Sequence, residues 1–218
     1  MSPYNKPDFW SLQAQKEGYP ARSVYKLKEM DEKFGLFRSF RGFRSKSGSP
    51  TPFKVLDLGA APGSWSLYAL QKMGGQGFLA AADLSPLSRG YGKGLFNGDN
   101  FFFLQGDITA AETKELIVSY GPFHLLMSDA APGTSGNSSA DALRSLALAE
   151  AALEYAESAL AKGGNLVVKV FQGGGTPKLL KHIRERFAIG KGFKPQACRR
   201  ESFETYYLGL DKKDPGKR

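Results

Sequence analysis

Lys169 stands inside Val167-Val-Lys-Val-Phe171, an apolar run in which a lysine is out of place, because lysine is almost never buried without a partner. The ordinary alternative is a strand-end lysine that snorkels to water. The sharper reading pairs its amine with Asp129 of Met127-Ser-Asp-Ala-Ala-Pro-Gly133, since both residues fall at strand ends that open on one edge. Val55-Leu-Asp-Leu-Gly-Ala-Ala-Pro-Gly-Ser-Trp65 reads as a strand, a glycine turn and the start of a helix. In a doubly wound sheet such a turn lies where ligands bind. Gly59 and Gly63 let the backbone approach a ligand closely. The turn is not G-x-G-x-x-G and it holds Pro62, so it lacks the second glycine that a dinucleotide pyrophosphate needs. It suits a nucleoside cofactor with no phosphate. Asp83 ends the next strand, where an acid accepts from ribose hydroxyls. Asp107, in Leu104-Gln-Gly-Asp107, follows the third strand and could meet an adenine amine. Either acid alone could be a simple cap; three such features at successive strand ends point together to a nucleoside site.

The elements that must hold these residues follow from periodicity. Near-continuous apolar runs predict strands over Lys54–Leu58, Gly77–Asp83, Asn100–Gln105, Phe123–Ser128 and Asn165–Val170, the pattern of a parallel sheet covered on both faces. Ser138–Ala161 repeats Leu146, Ala149, Leu153, Ala156 and Leu160 at helical spacing, with Ser138-Ser-Ala-Asp141 as its capping box and Gly163-Gly164 as its stop. Thr176-Pro177 opens a further helix, Thr176 capping, with Leu180, Ile183 and Phe187 as its stripe. Ser23–Phe34 is a helix ahead of the first strand, and Gly35 ends it. Gln196–Arg200 and Glu204–Leu210 read as a closing hairpin. Strands alternating with helices imply an α/β fold with a doubly wound, mostly parallel sheet.

The 218 residues suffice for one domain. Residues 1–52 form a basic helical extension and loop, 53–210 the core and 211–218 a tail. The length implies a monomer. No apolar run reaches a membrane span, and the N-terminus lacks an apolar signal core, so the expected location is cytoplasmic. With one cysteine, Cys198, and two histidines, no disulfide, Cys-cluster zinc site or metal is expected. The net charge of +9 is uneven: +5 over residues 1–50, −3 over 51–175 and +7 over 176–218. Basic ends on an acidic middle suit a polyanion such as nucleic acid. Arg22, Arg38, Arg41 and Arg44 from one end, with Lys194, Arg199 and Arg200 from the other, are the candidate phosphate contacts. Phe40 and Phe43 could stack on bases, although a small loop cluster accounts for them more simply.

Tyr25-Lys-Leu27, Asp57-Leu-Gly-Ala-Ala-Pro-Gly63, Ser128-Asp-Ala-Ala-Pro132, Val168-Lys-Val-Phe-Gln-Gly173 and the late Glu204 together resemble the FtsJ/RrmJ family of RNA ribose 2′-O-methyltransferases. The resemblance runs from about Gln13 to Leu210. It implies a Rossmann-like methyltransferase fold, S-adenosyl-L-methionine as cofactor and a catalytic tetrad of Lys26, Asp129, Lys169 and Glu204. It also implies cofactor contacts from Asp57, Gly59, Ala60, Pro62, Gly63, Trp65, Asp83, Leu84, Asp107, Ile108 and Asp129. The implied substrate is RNA, a uridine of 23S ribosomal RNA either free or in the 50S particle. Another RNA such as tRNA, or a non-catalytic ribosome-assembly role on the same fold, are the alternatives. The basic Arg38–Pro52 loop, Gly136–Ala140 and Gly173–Gly175 depart from the family pattern.

Chemistry narrows the implied reaction. A ribose hydroxyl holds its proton tightly, so transfer needs positioning and proton removal. Lys169 is the expected base and must be neutral to act; burial and Lys26 favour that form, whereas Asp129 opposes it. Amine methylation would call for Asn/Asp-Pro-Pro-aromatic where Asp129-Ala-Ala-Pro132 stands. Pyrimidine C5 methylation needs a nucleophilic cysteine, and Cys198 reads as a small hydrophobe.

Overall fold

The protein is seen in a computed structural model that describes residues 8–38, 52–133, 135–199 and 201–214. Its strands are β1 (Lys54–Leu58), β2 (Phe78–Asp83), β3 (Phe101–Gln105), β4 (Phe123–Ser128), β5 (Leu160–Phe171), β6 (Phe187–Phe193) and β7 (Glu204–Lys212). They form one sheet in the order β3-β2-β1-β4-β5-β7-β6. The first five are parallel, and β7 runs antiparallel between β5 and β6. The described α-helices are α1 (Phe9–Lys16), α2 (Val24–Phe34), α3 (Ser64–Met73), α4 (Ala111–Ser119), α5 (Ser138–Ala159) and α6 (Thr176–Arg186).

Side chains alternate across a strand, and this sorts the core in two. Val55, Leu125, Met127, Val167, Tyr206 and Leu208 pack with α2 and α3. Leu56, Leu126, Leu166, Val168, Val170 and Tyr207 pack with α5 and α6. Asp57, Lys169 and Glu204 keep step with the first set, and Asp129 follows Met127 at the same period. The same two-residue period therefore brings all four to the α2–α3 face at the carboxyl end of the parallel strands. The doubly wound sheet with helices on both faces and a C-terminal antiparallel hairpin is the expected architecture.

Several boundaries differ from expectation. Asn137, not Ser138, caps α5, its side chain accepting from the Ser139 and Ala140 amides at 3.1 Å each. That helix does not stop at Gly163-Gly164. It ends at Ala159, and both glycines lie inside β5, where the pairing to β4 shifts register between Phe123 and Leu125. Gly tolerates such an irregularity. Gly175 caps α6 and Thr176 is its first residue, while Phe187 opens β6 instead of completing the helix stripe. The hairpin's first strand is Phe187–Phe193, not Gln196–Arg200. β7 continues through Asp211 and Lys212, and the Lys213 amide bonds the Arg186 carbonyl at 2.8 Å. Phe40, Arg41, Phe43, Arg44 and Arg200 lie outside the described residues.

Candidate functional site

The four tetrad positions come from four separate elements and meet at one place. Lys26 of α2 is buried beside Val24 and Leu27, and its Nζ lies 2.8 Å from Glu204 Oε2 at the start of β7. Lys169 of β5 has its Nζ 3.0 Å from Asp129 Oδ1, and also donates to the Asp129 carbonyl oxygen. Lys26, Lys169 and Glu204 are only 9%, 7% and 8% exposed. Buried charges at this depth persist because each is paired. The two pairs are joined by Tyr206, opposite Lys169 in the β5–β7 register. Its hydroxyl donates to Asp129 Oδ1 at 2.7 Å, and Lys26 Nζ stands 5.8 Å from its ring centre.

The electrostatics follow from this packing. Burial raises the Asp129 carboxyl, but Lys169 and Lys26, with the Tyr206 hydroxyl, outweigh it and hold the group below the usual carboxylate range. Burial works against the Lys26 ammonium, yet Asp129 and Glu204 more than offset it and lift the group above its ordinary value. Burial, then the Asp129 and Glu204 charges, push the Tyr206 phenol well up. It remains a neutral donor.

The glycine turn closes over the ends of β1, β2 and β4. The Gly59 and Ala60 amides donate to the Ala82 carbonyl at 2.8 and 3.3 Å. Gly59 has φ +74°, and a Cβ there would stand 2.5 Å from Ala130 Cα, so this crossing of two loops admits only glycine. A cavity of about 100 Å³ opens beside it, lined by Gly59, Asp83, Leu84, Gly106, Asp107, Ile108, Ala130, Ala131 and Leu148. Five of these are positions expected from sequence. Gly106, Ala130, Ala131 and Leu148 are additions that only the fold reveals.

Asp83 accepts the Ala61 amide on Oδ2 at 2.9 Å and the Ser85 amide on Oδ1 at 2.7 Å. Each carboxylate oxygen has a second lone pair for a ribose hydroxyl. Asp107 Oδ1 accepts from the Thr109 amide and hydroxyl, both at 2.8 Å, which lowers its carboxyl. The aspartate thus caps its own turn as well as lining the cavity. Asp57 is fully buried; Ser66 Oγ donates to Oδ2 at 2.6 Å, while Oδ1 has no hydrogen-bond partner. Burial pushes its carboxyl up to about 7, with the Asp129 and Asp83 charges adding to the effect against the Ser66 bond. A glycine cradle, an orphaned carboxyl oxygen behind it and acids at the ends of β2 and β3 fit an adenosyl group.

Other expected positions lie elsewhere. Ala60, Pro62 and Gly63 shape the turn without lining the cavity. Trp65 is buried in the core, its indole N–H donating to the Ser23 carbonyl at 2.8 Å and its ring 5.8 Å from that of Tyr206. It braces α2 and β7 behind the tetrad. Arg22 pairs with Asp8 and donates to the Ala197 carbonyl at 2.6 Å, so it ties α1 to the loop before β7. Arg38 and Arg199 are exposed, and Lys194 Nζ donates to the Ser202 carbonyl at 2.7 Å. Cys198 is buried, and burial pushes its thiol up to about 12, which suppresses the reactive thiolate. Among the described residues no helix is long and apolar enough to cross a membrane.

Comparison with known proteins gives the family and the fold. The FtsJ-like methyltransferase family matches residues 19–212. The ribosomal RNA large subunit methyltransferase E of Treponema denticola is 47% identical over 209 residues, covering 95% of this chain and 96% of that protein. The protein of the same name in Borreliella afzelii is 42% identical over 202 residues, with coverages of 93% and 96%. Among solved structures, a ribosomal RNA methyltransferase of Plasmodium falciparum superposes with a TM-score of 0.66 at 23% identity, covering 89% of this chain and 98% of that one. Human methyltransferase-like protein 13 in complex with SAH superposes at 0.58 and 12% identity, with coverages of 89% and 84%. These two likenesses are of fold, the Rossmann-like methyltransferase fold. The family match over nearly the whole chain and the sequence relatives above 40% identity make this chain a member of the FtsJ-like methyltransferase family, whose methyl donor is S-adenosylmethionine.

Proposed function

We propose that the protein methylates large-subunit ribosomal RNA at the 2′-hydroxyl of a ribose, and that the acceptor is a uridine. The observation that carries this reading is the buried cluster in which Asp129 accepts from both Lys169 and Tyr206 beside the Lys26–Glu204 pair. The name shared by the Treponema denticola and Borreliella afzelii relatives, ribosomal RNA large subunit methyltransferase E, supports the RNA class.

Bound against Gly59, Asp83 and Asp107, S-adenosylmethionine supplies a methyl group already activated on a sulfonium. The chain is left with holding the acceptor in line and removing its proton. The tetrahedral Lys169 Nζ spends one position on its own carbon and two on the Asp129 side-chain and main-chain oxygens. The fourth faces the acceptor. In its neutral form the amine takes the 2′-hydroxyl proton there, and the Asp129 carboxylate stabilises the ammonium that results. Glu204, held by Lys26, accepts from the acceptor sugar and fixes its orientation. Lys26, Asp129, Lys169 and Glu204 are the residues of the reaction, and Asp57, Gly59, Asp83, Leu84, Asp107 and Ile108 hold the donor. The protein works as a monomer in the cytoplasm.

The test is incubation with methyl-labelled S-adenosylmethionine and, in parallel, large-subunit RNA, assembled 50S particles and tRNA, followed by nucleoside mapping. A labelled 2′-O-methyluridine from the large-subunit RNA or particle is expected. Label on a base, or on tRNA alone, overturns the reading, and no label anywhere leaves an assembly protein.

A further inference from the structure

Lys26 does not hold the start of β7 alone. Arg22, Lys26 and Glu29 are spaced four and three residues apart, so they share one side of α2 and of the turn that leads into it. Each grips the chain between the end of β6 and the start of β7. The Arg22 guanidinium donates to the Ala197 carbonyl at 2.6 Å, Lys26 Nζ stands 2.8 Å from Glu204 Oε2, and Glu29 Oε2 accepts the Gln196 amide at 2.7 Å. Seven residues of helix span about 10 Å, yet the two outer grips close on neighbouring residues and so straddle Lys26. The gripped residues form a tight turn, the Cys198 amide donating to the Pro195 carbonyl at 3.1 Å. Ala197 and Cys198 are buried, and buried main-chain groups need partners, which α2 supplies. The turn is tied onward to Glu204. Cys198 lies against the Glu204 carboxylate: burial, and then that charge, push its thiol up. Lys194 Nζ donates to the Ser202 carbonyl at 2.7 Å, and Ser202 Oγ accepts the Glu204 amide at 3.2 Å.

We infer that Glu29 is a positioning residue for the transfer: by seating the Pro195–Cys198 turn on α2, it sets the Glu204 carboxylate against Lys26. The inference rests on the ribose 2′-hydroxyl reading, in which Glu204 orients the acceptor sugar. An amide bonded to a carboxylate is a charge-assisted pair, one of the stronger ties a side chain can make to a turn. Small displacements of an orienting group are costly in rate, because alignment of the reacting atoms supplies much of the acceleration. Arg22 makes the matching grip from the other side of Lys26, but its positive charge also attracts phosphate, so its removal would mix two effects. Glu29 separates them. An acid has no favourable contact to offer a phosphodiester, and a fall in rate on its removal is not the loss of an RNA contact. The Gln196 donor belongs to the main chain, so the acceptor side of this bond is the one to alter.

Glu29→Ala, Glu29→Asp and Glu29→Gln are compared with the unaltered protein in methyl transfer to 50S particles lacking the modification, and Glu29→Ala is also combined with Glu204→Ala. S-adenosylmethionine affinity and melting temperature are measured beside kcat and KM. Glu29→Ala has no acceptor, and Glu29→Asp falls one methylene short of the amide. Both are expected to lower kcat about tenfold to a hundredfold, with KM for particles and S-adenosylmethionine affinity unchanged. Glu29→Gln keeps an acceptor oxygen at the same reach and should restore most of the rate. In the Glu204→Ala background the Glu29→Ala change should lower kcat less than about threefold, because no carboxylate is left to place. If Glu29→Ala melts early, the contrast between Glu29→Asp and Glu29→Gln decides. Unaltered kcat in both Glu29→Ala and Glu29→Asp, a fall that Glu29→Gln shares in full, or an equal fall with and without Glu204 overturns the inference alone. Failure of the unaltered protein to methylate any ribose overturns it together with the reading beneath it.

Discussion

Asp129 is where the charges of the site meet. It takes bonds from Lys169 and Tyr206 and feels Lys26 across the Tyr206 ring. Lys169→Ala should lower kcat by about 10²- to 10⁴-fold with S-adenosylmethionine binding intact by calorimetry; near-normal turnover would remove Lys169 from the reaction. Tyr206 is a positioning residue. Tyr206→Phe deletes a bond to a charged group, so a roughly tenfold or larger fall in kcat is expected. Because that hydroxyl helps hold the Asp129 carboxyl low, the acid limb of the pH–rate profile should also move to higher pH, a shift that loss of packing alone would not produce. Asp57 makes a stability prediction. Its carboxyl is raised to about 7 in the fold from an ordinary value near 3.8, so the folded state binds the extra proton between those values. Stability contributed by this group is thus full below about pH 4 and declines toward pH 7. In Asp57→Asn that component of the decline should vanish from urea unfolding measured across this range. Lys169 and Asp129 were legible in the sequence because a charge inside an apolar run needs an explanation. Tyr206 was not, since tyrosine is common in strands and only its register opposite Lys169 gives it a role. Trp65 was readable as important but not as a brace, because which face of α3 meets β7 is a property of the packed molecule.

At the scale of elements, β1 and β4 match their expected bounds, and β2 and β3 differ by a single residue at one end. Central parallel strands announce themselves by being apolar on both sides. β6 did not, because Phe-Ala-Ile-Gly-Lys-Gly-Phe at an edge is half polar and broken by glycine. α1 escaped notice for a similar reason: it buries one residue, Ala14, and depends on Asp8, whose carboxylate accepts the Ser11 amide at 2.9 Å. Gly136–Ala140 and Gly173–Gly175 stood out in the sequence as departures from the family pattern, and Gly136, Ser138 and Ser139 prove to line the same cleft as the glycine run. The crossing of the β1 and β4 loops gives the sharpest test at this scale. Gly59→Ala combines a positive φ with a 2.5 Å approach to Ala130, and a loss of about 2 kcal/mol or more is expected in denaturant unfolding. Donor affinity should fall with it. An alanine variant that melts with the unaltered protein would show that the two loops can part.

At the scale of the molecule, the acidic middle, residues 51–175, supplies β1 to β5, and the described parts of the basic ends supply α1, α2, α6, β6 and β7. The ends are not uniformly free to meet a polyanion, because Arg22 is consumed by Asp8 and the Ala197 carbonyl. Lys194 and Arg199 are exposed, the Lys194 amine donating to the Ser202 carbonyl and the Arg199 carbonyl accepting the Ser202 amide. Replacing both by glutamine should reduce the slope of log affinity for RNA against log salt by about two, and an unchanged slope would place the phosphate track elsewhere. One feature of the sheet also bears on how the chain comes to be active. β7 lies between β5 and β6, so until it docks β5 presents a bare edge through Leu166, Val167, Val168 and Val170, the kind of edge that recruits foreign strands. The strand that covers this edge is also the one that delivers Glu204 to Lys26, 178 residues away in the chain. Covering that edge and forming the Lys26–Glu204 pair are thus one folding event, and if the proposed tetrad carries the reaction, a molecule with an open β5 edge is expected to be inactive.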